Sequence, residues 1–269
     1  MSVVLLAAAA VILNVGAGYA AFQRRSVTGS GALAGALVGT LIFVGGGPGY
    51  WIMLMLFFVS SSIAGRAGTR KRPSLERMHE RGSRRDYIQV VANGGVAAMA
   101  ALLLRITGHL GFATATAGAL AAATADTWAS ELGVLSSRPP RSILTRRRLV
   151  PGTSGGVSWL GTAAAAAGSL LIAASFAVAE PRVSPLPAFA IILVAGLLGT
   201  TVDSLLGATV QAQYRDGAGR PTERRVGEQG PNTRTRGATI VNNDVVNFAS
   251  TLVAAVTAAA LFAFSGLLP

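Results

Sequence analysis

The segment GFATATAGALAAATADTWASE, residues 111–131, is built almost wholly from Ala, Thr and Gly, yet it carries Asp126 and ends on Glu131. Its length suits a helix that crosses a bilayer, because about 20 residues rising 1.5 Å each cover the hydrocarbon core. The acids are what such a helix should exclude. A charged side chain at mid-bilayer costs about 2.5–3.5 kcal/mol on insertion scales, so one that is kept there points to function. The same pattern recurs twice, with Asp203 in GLLGTTVDSLLGA and Asp244 in TIVNNDVVNFAS. The chain has 11 acidic residues, so four of them in apolar surroundings is a concentration rather than a scatter.

The rest of the chain agrees with a membrane reading. It has 269 residues, 51% hydrophobic and 13% charged, with mean hydropathy +0.53. That composition predicts an all-α, polytopic integral membrane helical bundle rather than a soluble domain. Eight apolar segments of spanning length are expected, near 2–20, 29–46, 49–65, 88–106, 111–131, 155–179, 186–208 and 239–266. Together they form one transmembrane domain, residues 1–269. Residues 2–20 lack a basic leader region and are predicted to be the first span. Alternate connections are strongly basic: Arg24 and Arg25, then 66–86, 132–154 and 209–238. They hold 21 of the 23 Lys and Arg, leaving Arg105 and Arg182 for the other side. The positive-inside rule then places the basic loops in the cytoplasm and both termini outside, as in a multi-pass protein of a prokaryotic plasma membrane. On this view the net charge of +12 reflects topology, and no nucleic-acid partner is expected. There is no cysteine, which excludes disulfides and thiolate metal sites. The two histidines, His79 and His109, fall in a basic loop and a short turn, so a histidine metal site is not expected.

By this topology Asp126, Glu131, Asp203 and Asp244 converge on one leaflet and make a cytoplasm-facing polar site. Carboxylates with amide oxygens suit magnesium, which is often held by one or two carboxylates plus substrate phosphates. Asn243 and Asn247, four apart on one helical face, stand beside them. The alternative is that these groups are interhelical glue. A second constellation, LVPGTSGGVSWLG at 149–161, leads into span six. Gly152, Thr153, Ser154, Gly155, Gly156 and Ser158 offer amides and hydroxyls to a phosphate, although a capped helix start reads the same way. A third, ERGSRRDYIQVVANGG at 80–95, presents Arg84 and Arg85, with Gln89 and Asn93 one helical turn apart. Arginine forks pair with phosphate, and juxtamembrane charge for topology and anionic lipid is the plain alternative. Span two carries Gly31, Gly35 and Gly39 on one face, a close-packing seam that would also permit a helix-packed homodimer. Spans five and seven echo one another, T-A-D-T against T-V-D-S, as a parallel repeat would. No Ser-His-Asp arrangement is present. Phosphoryl transfer needs positioning, metal and positive charge more than a nucleophilic side chain, and that inventory fits.

Taken together, ADTWASE, PGTSGGVS, the Asp203-Ser204 pair, NNDVVN and RRDYIQVVANGG resemble a family of small polytopic membrane proteins that includes the plant phytyl-phosphate kinase. The resemblance covers most of the chain. It implies phosphorylation of an isoprenoid (phytyl or prenyl) monophosphate to the diphosphate, with a nucleoside triphosphate donor, CTP first, and magnesium as cofactor. It further implies Asp126, Glu131, Asp203 and Asp244 as metal or acid/base groups, with Ser204, Asn243 and Asn247 beside them. Gly152 to Ser158, with Arg84, Arg85, Gln89 and Asn93, become phosphate-handling groups. The loop 209–238 offers no motif. A lipid nucleotidyltransferase passing CMP to a lipid phosphate would need the same parts, and a transporter of a lipid phosphate or other anion would also explain buried acids.

Overall fold

The structure is a computed structural model that describes residues 3–71, 84–227 and 230–265. Eight long helices account for most of it: α1 (Val3–Gln23), α2 (Gly29–Gly46), α3 (Pro48–Lys71), α4 (Tyr87–Thr107), α5 (Leu110–Gly133), α6 (Trp159–Ala179), α7 (Pro185–Thr209) and α8 (Asn243–Phe264). Seven are long and apolar enough to cross a membrane, and α5 is the exception. The exception has a physical reason. Helix α5 packs against α3, α4, α6, α7 and α8, so its sides meet protein rather than lipid. From Ala113 to Ala125 every residue is buried. An enclosed helix gains little from large apolar side chains and much from small ones that let neighbours approach. A Cβ placed on Gly118 would lie 2.7 Å from the Ala258 Cβ, and one on Gly199 2.5 Å from the Ala122 Cβ. The threonines of α5 return their hydroxyls to their own helix, Thr124 to the Leu120 carbonyl at 2.7 Å and Thr116 to that of Phe112 at 2.8 Å. The low hydropathy of α5 therefore leaves no orphaned polar group along these turns.

Helix ends are set by local chemistry. Asp86 and Gln89 form a reciprocal capping box at the start of α4. Thr28, His109, Ser158 and Asn242 cap α2, α5, α6 and α8 through their side chains. His109 thus serves as a cap. Helix α6 starts at Trp159, four residues beyond the expected 155. Gly152 and Gly155 adopt φ of +89° and +78°, which a right-handed helix cannot accommodate. PGTSGG is the turn that leads into this span, and the helix begins only beyond it.

The glycine face of α2 works inside the chain. Gly31 abuts the Arg85 carbonyl at the start of α4, and Gly39 abuts the side chain of Asn14 in α1, while Gly35 faces open space. The basic connections gather at one end. Arg66 donates to the Arg24 carbonyl at 3.0 Å, and Arg84 donates to that of Val27 at 2.9 Å. Gly65 and Gly68 of α3 lie against Glu131 at the end of α5. Of the loop expected at 66–86, residues 72–83, with His79, lie outside the described residues. At the same end the α5–α6 connection pairs β1 (Arg141–Ser142) with β2 (Gly156–Val157). The α7–α8 connection folds into β3 (Gln213–Arg215), β4 (Pro221–Thr222) and β7 (Thr233–Arg236), in the order β4-β3-β7, plus a hairpin of β5 (Val226–Gly227) and β6 (Gly230–Pro231).

The opposite end is closed by a small polar knot. Glu180, 2% exposed, accepts the Tyr50 hydroxyl at 2.7 Å and two bonds from the Arg182 guanidinium at 2.6 Å. Phe176 packs edge-on to Tyr50 at 6.1 Å and belongs, with the fully buried Ile172, Leu120 and Phe262, to the core below.

Candidate functional site

Helices α5 and α7 run side by side in the same direction. Their contacts ascend together: Gly196 meets Ala121, Gly199 meets Ala122, and Thr200 donates to Oδ1 of Asp126 at 3.5 Å. The echo between TADT and TVDS therefore corresponds to two parallel neighbours. One more turn along α7 brings Asp203 beside Asp126, within hydrogen-bonding reach. Ser250 of α8 also reaches Asp203. Oδ2 of Asp203 is buried and takes part in no hydrogen bond.

These two carboxyls sit in the wall of a cavity of about 390 Å³ at the end that bears the basic loops. Across from them runs the loop Gly152 to Ser158, every residue of which lines the space, together with Ser204 and Asn243. The loop is held close by shape. Gly155 lies so near α7 that a Cβ there would be 2.5 Å from that of Ala208. Its positive φ disfavours any side chain in addition. Ser158 is committed twice, donating to the Gly133 carbonyl at 3.1 Å and accepting the Gly161 amide at 3.1 Å. It ties the loop to the end of α5.

Glu223, Gln211 and Thr200 line the cavity and escaped the sequence reading. Glu223, from the α7–α8 connection, accepts hydrogen bonds from the Ser154 hydroxyl and from Gln211 Nε2, the latter at 2.9 Å. Gln213 Nε2 donates to the Ser154 carbonyl at 3.4 Å. Thr200 approaches Asp126. Glu223 comes from a segment that looks like any charged loop, and its partner Ser154 is 69 positions away. The one available signal was Gln211, next to α7 and 1% exposed in the structure.

The other expected residues fall elsewhere. Glu131 turns toward α3 and the Arg85 guanidinium. Asp244, 5% exposed, and Asn247, 9% exposed, are buried at the start of α8 and do not line the cavity. Arg84 is spent on the Val27 carbonyl and lies over the Phe22 ring. Arg85 sits over Phe57 and Phe58 at 5.6 and 5.7 Å, its NH1 buried without a hydrogen bond. Burial pulls the Arg85 guanidinium below its ordinary value, and Glu131 works in the other direction. Gln89 accepts the Asp86 amide, and Asn93 donates to the Gln89 carbonyl, so both complete α4 locally. Among the described residues, no Arg or Lys lines the cavity. Arg236 donates at 2.8 Å to the Gly207 carbonyl near the end of α7.

Magnesium accepts one or two carboxylates, the remaining positions going to water and substrate oxygens. The Asp126–Asp203 pair, with an uncommitted buried oxygen on Asp203, fits that demand. Among the described residues no group of three or more His, Cys, Asp or Glu is arranged to hold a metal. A bound ion would therefore complete its shell from substrate phosphates. Neutral donors from the loop and a carboxylate pair from the helices give a space suited to a charged phosphate ester and a divalent cation.

Residues 12–255 match the family described as "Integral membrane protein DUF92". The chain is 31% identical to Protein PGR of Arabidopsis thaliana over 268 residues, covering 91% of this chain and 92% of that protein. It is 33% identical over 153 residues to an uncharacterized membrane protein of Methanocaldococcus jannaschii, covering 56% of this chain and 61% of that one. No solved structure matches.

Proposed function

The chain belongs to the DUF92 family of integral membrane proteins, and on that premise we propose that it is a membrane-embedded phosphotransferase. Its acceptor is an isoprenoid monophosphate, converted to the diphosphate by a nucleoside triphosphate, with CTP the first donor to try. The observation that carries this reading is the pairing of Asp126 and Asp203 opposite a glycine-rich loop, inside one cavity. The cavity lies at the end where the basic loops gather, and the positive-inside rule makes that end cytoplasmic, where nucleotides are found.

In the reaction an acceptor phosphate oxygen attacks the terminal phosphorus of the donor. The new P–O bond forms as the bond to the β-phosphate oxygen breaks, and the nucleoside diphosphate leaves. An acceptor phosphate is already largely ionised near neutral pH, so no strong base is required. The chain's task is alignment and exclusion of water. The amides of Gly152 and Ser154 and the Thr153 hydroxyl would hold one phosphate, while Asp126 and Asp203 would hold the cation that accompanies the other. Magnesium, when bound there, supplies charge neutralisation for the donor phosphates. Glu223 holds Ser154 and Gln211 in place and so orients the loop. The α5–α6 connection that borders the cavity carries Arg138, Arg141, Arg146, Arg147 and Arg148, all exposed, whose field would draw an anionic donor toward it.

A carrier would need a route to the opposite end. There the Tyr50–Glu180–Arg182 knot, with Phe176 edge-on to Tyr50, joins the buried core that holds Ile172, Leu120 and Phe262. The test is incubation of the purified protein in lipid with magnesium, CTP or ATP and isoprenyl monophosphates, with products identified by mass. A prenyl diphosphate supports the proposal. A CMP-lipid makes the protein a nucleotidyltransferase instead, and the absence of product with every donor, from folded protein, overturns the enzyme reading.

A further inference from the structure

The cavity does not end at the carboxyl pair. Beyond them its wall is formed by Thr162 and Ala165 of α6 and by Leu197 and Thr201 of α7. Thr162 and Thr201 are exposed as well as lining the cavity. The cavity thus runs from the Gly-rich loop out to the side of the protein that would face lipid. The same two helices carry exposed apolar side chains along this stretch: Trp159, 86% exposed, and Leu160 on α6, and Leu198 and Leu205 on α7. The two threonines do not make this wall polar. Thr162 returns its hydroxyl to the Ser158 carbonyl at 3.1 Å, and Thr201 to that of Leu197 at 2.7 Å.

Packing explains why α6 and α7 part at this level. Helix α6 is drawn onto α5, where Gly161 meets the Ala129 carbonyl and Gly168 that of Thr124. Helix α7 is drawn instead onto α5 and α8 through Gly199, which meets Ala122 and Ala254. The two come together deeper in the bundle, where Gly196 touches Ser169 and the Ser169 hydroxyl donates to the Leu193 carbonyl at 3.1 Å. From Gly161 to Ser169 a helix rises about 12 Å, which gives the depth of the cleft.

We propose that the α6–α7 cleft is a lateral entrance that holds the first part of the hydrocarbon chain of a lipid phosphate. The inference rests on reading the cavity as a lipid-phosphate site. The phosphate stays with the Gly-rich loop and the carboxyl pair, and the chain leaves between Ala165 and Leu197 into the bilayer. The Ser169–Gly196 crossing stops it from running deeper into the protein. A long tail then costs the protein no interior space, since everything beyond the first segment lies in lipid.

The chain contains no cysteine, so one introduced thiol is a unique handle. In the first experiment, a long-chain isoprenyl monophosphate with a diazirine on its chain near the phosphate is photolysed with the wild-type protein in vesicles, and the labelled peptides are identified by mass. Labels on α6 and α7 between residues 159 and 205 support the cleft, whereas labels confined to α1–α4 overturn it. In the second, Thr162→Cys is folded and then alkylated with a bulky maleimide. Turnover of a long-chain monophosphate should fall at least about tenfold, while the same alkylation of Leu186→Cys, exposed at the closed end of α7, should leave it within about twofold. Equal loss in both variants, or no loss in either, overturns the cleft. Should the wild-type protein turn over no phosphate at all, the kinase proposal fails, and the labelling pattern alone decides the entrance.

Discussion

Both ends of the helix bundle draw a carboxyl group away from water, and they treat it differently. At the closed end Glu180 receives the Tyr50 hydroxyl and a forked guanidinium from Arg182. Its acceptors are met by a cation and a donor, which makes it a tie between α3 and the α6–α7 turn. At the loop-bearing end Asp203 is placed against another acid, Asp126, and one of its oxygens is left buried with no hydrogen bond. Two carboxyls set side by side with spare acceptor capacity hold nothing else together by themselves. They make sense when a cation joins them. Burial alone therefore does not tell a functional acid from a structural one; the partner does.

The sharpest way to break this contrast is to neutralise the two ends in turn. Asp126→Asn and Asp203→Asn should each lower turnover by about 10²–10³-fold or more and leave the melting temperature close to that of the wild type. Normal rates of product formation in both variants would remove the distinction and the site with it. Gly155→Val tests the loop that faces the pair. Its Cβ would collide with Ala208 and its φ would be forbidden, so about 1–3 kcal/mol of strain is expected, read as a lower melting temperature together with weakened donor binding. Substitution at the closed end should show the reverse profile. Glu180→Ala leaves the Tyr50 hydroxyl buried without its acceptor, at a cost of about 1–3 kcal/mol, while activity per folded molecule stays within about twofold.

The smallest expected effect is on pH dependence. Burial pushes the Glu180 carboxyl upward, but the Arg182 guanidinium and the Tyr50 hydroxyl outweigh it, so its folded value lies below the ordinary one. A group depressed on folding stabilises the protein above the unfolded value, about 4.3 for glutamate, and loses that contribution as pH falls through the folded value. Melting temperature should accordingly drop more steeply below about pH 4.3 in the wild type than in Glu180→Gln. Parallel curves would mean that the knot is not a charged one.

The helices were legible in the sequence because their physics is local. Apolar runs of spanning length, Asp86 and Gln89 three apart, and Thr28 or Asn242 just before an apolar run each announce themselves within a few residues. Even α5, which hydropathy alone passes over, stood out by its small residues and its acid. What remained hidden was long-range. Arg84 and Arg85 look no different from Arg147 and Arg148 in a one-dimensional reading, yet the first two pin the start of α4 to α2 and α3. Glu223 reaches Ser154 only because a small sheet folds back over the end of α7.

From its sequence alone this protein was bound to be a polytopic helical membrane protein with its positive charge on one side. Hydrophobic length and charge asymmetry act residue by residue against a fixed solvent, the bilayer. The identity of α5 as the enclosed centre, the meeting of Asp126 with Asp203 rather than with Glu131 or Asp244, and the parting of α6 from α7 were decided by the tertiary structure. Those outcomes depend on which small residues let which backbones touch. Gly161, Gly168, Gly196 and Gly199 settle that choice through contacts tens of positions away along the chain, a distance over which sequence pattern carries no information about geometry.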